Sequence, residues 1–171
     1  MDISVVHDYQ IELDNLLRFF SEEELITDKY QQLAAKNVKV LAIDETDDGF
    51  AVKTERDVPA NVPGVLKSIL GSFNTIKQNE TWHWQEDESL LCKMAIEIVG
   101  VPAQITGTMR FTEPAKQGDG KVMTSNRVKV NVKSSMPLIG STLVNFITDD
   151  IKLQMQNEYE FLQQAVPELA E

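Results

Sequence analysis

Four consecutive segments between Thr75 and Lys133 alternate apolar and polar residues, and a single long helical pattern follows them. They read "TIKQNETWHWQ", "LLCKMAIEIVG", "AQITGTMRF" and "KVMTSNRVKVNVK". Period-two alternation puts one apolar face on each strand. Turns at "EDES", "GVPA" and "EPAKQGDG" join the strands into an antiparallel meander. The closing segment, "PLIGSTLVNFITDDIKLQMQNEYEFLQQAV", repeats apolar residues at helical spacing through Leu143, Ile147, Ile151, Met155 and Leu162, with Phe146 beside them. At roughly 26 residues it would reach ~40 Å, enough to cross a whole sheet. A sheet with one apolar face needs a cover, and this helix is long enough to be it.

The first half of the chain adds to the same sheet. "ISVVHDY" reads as a first strand and "ELDNLLRFFS" as a helix. Ser21 is expected to open a second helix, with Glu24 completing a capping box in "SEEE". "VKVLAIDE" and "FAVKTERDV" flank a turn rich in Asp and Gly and read as a hairpin. Pro59 and Pro63 then interrupt the sheet, because proline cannot donate to a ladder. "NVPGVLKSILG" carries the punctuation of a short helix at the rim, with Val62, Leu66, Ile69 and Leu70 facing inward. The expected fold class is α+β. A curved antiparallel sheet of about seven strands wraps on a long C-terminal helix, with two short helices after the first strand.

Bulk properties narrow the partners. The 171 residues suit one domain spanning 1–171. A net charge of −11 with no long basic run argues against nucleic acid and against docking on an anionic membrane. Cys92, the one cysteine, rules out an internal disulfide. "MDISVVHDYQ" has no basic segment followed by an apolar stretch, and no apolar run reaches bilayer length. A cytoplasmic location without an integral membrane segment is the expectation.

"RDVPANVPGVLKSILG", "ETWHW", "VPAQITGTMRF" and "KVNVKSSMPLIGSTL" together resemble a bacterial START-like family of unknown function. That family lies within the helix-grip superfamily of the birch pollen allergens and polyketide cyclases. The resemblance covers nearly the whole chain. It implies the helix-grip fold and a small apolar or amphipathic molecule held between sheet and helix. It transfers no catalytic residue.

The inner face can be read without that resemblance. Even positions of the "ETWHW" strand put Ile76, Gln78, Glu80, Trp82 and Trp84 on one side. The next strands contribute Cys92, Met94, Ile96 and Ile98, then Ile105, Gly107, Met109 and Phe111. Joining the strands by their turns gives a cross-strand row of Glu80, Met94, Gly107 and Asn126, if Phe111 lies opposite Val122. A glycine inside a strand marks either a bend or close approach by another group. Glu80 must be paired or protonated if buried, and Arg56 on the inner face of its own strand is the expected partner. The candidate ligand-binding residues are Arg56, Gln78, Glu80, Trp82, Met94, Gly107, Met109, Asn126 and Phe146. They should line a mostly apolar pocket of ~300–1,000 Å³.

Other chemistry has little support. His7 and His83 are far apart and His83 points outward, so metal spacing is missing. Cys92 lies among apolar residues and reads as an inert buried thiol. "GSTL" lacks the downstream lysine of a phosphate loop, and "DETDDG" lacks the glutamate of a calcium loop. No cofactor is expected. Three readings stay open: a binding domain for a hydrophobic or amphipathic molecule, an interaction scaffold with a filled core, or a cofactor-free cyclase or hydrolase. The last would use Glu80 as acid or base with Arg56 and Asn126 as polarising groups.

Overall fold

The computed structural model describes residues 1–114 and 122–169. Strand β1 (Asp2–Tyr9) leads into helices α1 (Leu13–Ser21) and α2 (Glu23–Gln32). Strands β2 (Lys36–Thr46), β3 (Gly49–Pro59), β4 (Phe73–Trp84), β5 (Leu90–Ile98), β6 (Gln104–Thr112) and β7 (Thr124–Lys133) follow, and α3 (Gly140–Leu169) closes the chain. The seven strands form one sheet in the order β1-β7-β6-β5-β4-β3-β2. Every neighbouring pair is antiparallel. The sheet curves around α3, which is the helix-grip arrangement.

The alternation seen in sequence becomes burial. Cys92, Ile105, Met109, Phe111, Val128, Val130 and Val132 are all buried, and so are Leu143, Ile147 and Leu162 of α3. Helix α1 supplies Leu13, Leu16, Phe19 and Phe20 at helical spacing to the same core. Trp84 departs from the pattern and is 42% exposed, because it ends β4 beyond the reach of the helices.

Two register expectations hold and one does not. Glu80 faces Met94, and Met94 faces Gly107. Gly107, however, faces Val130, and Phe111 faces Asn126 rather than Val122. Eleven residues connect β6 to β7, and the register is displaced by four positions from the expected Phe111–Val122 pairing. Residues 115–121 of the expected turn lie outside the described residues.

The expected capping box is also absent. Ser21 ends α1, and its hydroxyl donates to the Leu17 carbonyl at 2.9 Å. Glu22 is the extended residue that starts α2, with no side-chain cap. The Ser21 hydroxyl is already committed to the preceding turn, so it cannot cap the next helix.

The proline-bearing stretch leaves the sheet at Pro59 as expected. It forms only a single 3-10 turn, Gly64–Leu66, followed by a turn to Leu70. Leu66 and Leu70 are buried, and Val62 and Ile69 pack against the core. Proline at position 63 fixes the entry, but the apolar run is too short to sustain an α-helix.

The grip itself can be measured. Leu143 of α3 is fully buried, whereas Leu153 is 57% exposed. Leu143→Ala is expected to cost ~2–5 kcal/mol and Leu153→Ala less than ~0.5 kcal/mol, read from urea unfolding. Equal losses would mean that α3 does not hold the sheet by this face.

Candidate functional site

A mostly apolar cavity of about 170 Å³ lies between the sheet and α3. Its size is below the expected range, because methionines and aromatic side chains occupy much of the interior. Arg56, Gln78, Glu80, Met94, Met109, Asn126 and Phe146 line it. Val58, Ala60 and Leu70 of the proline-bearing stretch edge the same cavity.

Trp82 and Gly107, expected among the lining residues, are not part of the wall. Trp82 is fully buried in an aromatic stack, 5.2 Å from Phe50, 5.4 Å from Phe20 and 5.6 Å from Phe111 between ring centroids. The space above Gly107 is already filled. A Cβ there would stand 2.9 Å from the Lys129 carbonyl oxygen, 3.0 Å from the Met94 methyl and 3.2 Å from Val130. The glycine admits close packing rather than leaving a gap.

Glu80 sits at the boundary between the aromatic stack and the cavity. The Trp82 indole donates to its Oε1 at 2.9 Å, and the Gln78 amide donates to its Oε2 at 2.7 Å. Arg56 does not pair with it directly. The Arg56 Nη2 donates to the Gln78 Oε1 at 3.2 Å, so Gln78 stands between the two charges. Glu80 forms no ion pair among the described residues, and the cation that acts on its charge from a distance is Lys29. This lysine is buried, 3.9 Å above the Phe20 ring, and its Nζ meets Glu158 of α3 at 2.8 Å.

Burial pushes the Glu80 carboxyl above its ordinary range, against the Lys29 charge and the bonds from Trp82 and Gln78. Burial also opposes the Lys29 charge, but Glu158, Tyr30 and Glu80 outweigh it and hold the ammonium above its usual pKa. Each buried charge is thus tolerated through the next one.

A second polar group lies across the sheet. His7 of β1 pairs in register with Asn126 of β7, and both line the cavity. Both are buried. The His7 Nε2 and the Asn126 Oδ1 have no hydrogen-bond partner among the described residues. The imidazole stacks on Tyr159 with centroids 4.3 Å apart, and the Tyr159 hydroxyl donates to the Asp8 carbonyl at 2.8 Å. Burial lowers the His7 pKa, against the pull of Glu158 and Asp8.

Sequence reasoning missed His7, Lys29 and Glu158 as parts of the interior. Each carried a signal. His7 alternates with Ile3, Val5 and Tyr9 on the inner face of β1. Lys29 falls between Ile26 and Tyr30 on the apolar stripe of α2. Glu158 falls between Met155 and Leu162 on the stripe of α3. A charge on an apolar stripe calls for a partner, and these two meet each other.

The model of a family described as "Protein of unknown function (DUF2505)" matches residues 4–166. No curated protein matches the chain in sequence. Among solved structures, a protein from Thermus thermophilus superposes with a TM-score of 0.66 at 11% identity, covering 100% of each chain. Ara h 8.0201 gives a TM-score of 0.60 at 9% identity over 98% of each chain. A START superfamily protein from Mycobacterium smegmatis gives 0.57 at 13% identity, also over 98% of each. At these identities the likeness is one of fold. Among the described residues no helix is long and apolar enough to cross a membrane.

Removing the buried cation gives a pH-dependent loss. In Lys29→Met, Glu80 loses its compensating charge and its folded pKa rises further. A raised folded pKa means that the native state holds the proton, so stability falls as pH climbs from the unfolded value towards the folded one. The loss relative to the unaltered protein is expected at ~3–5 kcal/mol at pH 8 and distinctly less at pH 5. Urea unfolding at the two pH values measures it, and a pH-independent loss would remove Glu80 from the network.

Proposed function

The chain belongs to the DUF2505 family, and from the site itself we propose that it binds a small hydrophobic or amphipathic molecule in the cavity between sheet and α3. The observation that carries this reading is the His7–Asn126 pair. Two buried polar side chains stand in the wall of an apolar cavity, each with an unpartnered atom. Buried polar groups are nearly always satisfied, and an unsatisfied pair in a cavity wall offers a ligand group or a water a bond to complete. The neutral imidazole and the amide oxygen suit a hydroxyl or similar group on an otherwise apolar ligand. An engineered apolar cavity of comparable volume takes up benzene, so one ring is the appropriate scale.

The fold shared with a START superfamily protein and with Ara h 8.0201 supports the same reading. We further propose that residues 1–171 act as one START-like domain in the cytoplasm. A catalytic role for Glu80 has less support. Both its oxygens already accept hydrogen bonds, and the register moves Asn126 out of its cross-strand row.

p-Cresol, one ring with one hydroxyl, tests the proposal by titration calorimetry. A dissociation constant of ~10 μM–1 mM is expected for a ligand of about eight non-hydrogen atoms. Asn126→Leu should weaken p-cresol about tenfold while raising stability by ~1 kcal/mol, because it removes an unsatisfied buried acceptor. No p-cresol binding, together with a bare chain mass in native mass spectrometry of fresh protein, would favour a filled scaffold instead.

A further inference from the structure

The cavity wall contains an arginine, Arg56, that forms no ion pair within 4.0 Å among the described residues, whereas Lys29 is held by Glu158. Its guanidinium lies 4.0 Å over the Tyr30 ring, and Nη2 is held by Gln78. Its Nη1 is buried without a hydrogen-bond partner. The guanidinium stays charged at any working pH, so burial cannot neutralise it. Tyr30 and Gln78 hold the plane of the fork, and Nη1 is left without a partner.

We propose that Arg56 receives the carboxylate of the bound molecule, so that the ligand is a small apolar acid. The proposal rests on the ligand-binding reading above and adds the charge of the ligand. A carboxylate matches the flat donor edge of a guanidinium and forms a charge-assisted bond there. The apolar body of the acid would lie against Ile76, Ile98 and Ile151, which line the same cavity. Gln78 links Arg56 to Glu80, so the anion would sit one residue away from the existing carboxylate rather than against it. Glu80, Asp150 and Glu158 also line the cavity, and their carboxyls favour a monoanion over a doubly charged phosphate.

The test compares 4-methylbenzoate with 4-methylbenzamide, equal in shape and different in charge, by titration calorimetry at pH 7. The benzoate is expected to bind the unaltered protein at least tenfold more tightly. Arg56→Met should remove that preference and leave the affinity for the benzamide within about twofold. Equal binding of both probes to the unaltered protein would overturn the carboxylate inference while leaving the ligand-binding reading in place. Binding of neither probe would overturn both. The comparison on the unaltered protein decides the matter even if Arg56→Met fails to fold.

Discussion

A carboxylate on the inner face of a central strand sets the terms for everything packed above it. Glu80 is buried, so its two oxygens need hydrogen-bond partners. Gln78 and Trp82 from its own strand supply them. Lys29 of α2 acts on its charge from a distance, and Lys29 in turn requires Glu158 of α3. The sequence of partners runs from sheet to α2 to α3. Any packing that separated these three elements would leave a buried charge alone, which costs more than most apolar contacts contribute. Burial of apolar surface drives the helices onto the sheet. The charges select how they sit.

That selection divides the interior into two parts. On one side of Glu80, Phe20, Phe50, Trp82 and Phe111 form an aromatic cluster, whose Phe20 also touches the cavity. On the other side, isoleucines and methionines line the cavity, with Arg56 and the His7–Asn126 pair among them. Flat rings pack densely against one another. Unbranched methionines fill irregular space and repack, which suits a cavity wall. The sheet edge strands contribute as well. β1, the first strand, reaches its place only by pairing with β7, the last, and this brings His7 beside Asn126.

The legible parts of the site were those governed by local rules. Along β4 the period of two placed Gln78, Glu80 and Trp82 inside, and short turns fixed β4 against β5 and β5 against β6. The β6–β7 register was not legible, because a long connection places no limit on how far the next strand slides. Gly107 shows the same boundary. Its presence in a strand signalled close approach, but only the packed structure identifies the neighbours as Met94, Val130 and the Lys129 carbonyl.

The sequence by itself determined the elements, their order and which face of each turns inward. Those properties follow from the spacing of residues a few positions apart, and spacing is written in the chain. It also placed a carboxylate inside without deciding its partner. Only the tertiary structure decided that Gln78 and Trp82 hold Glu80 with Lys29 rather than Arg56 as the cation acting on it, that Trp82 belongs to an aromatic cluster, and that His7 meets Asn126. Apart from the bonds within β4, each of these joins residues far apart in sequence, and geometry across a curved sheet sets them. Electrostatics then favours the arrangement in which the most buried charges are paired. Arg56, at the edge of that arrangement, is the cation left over.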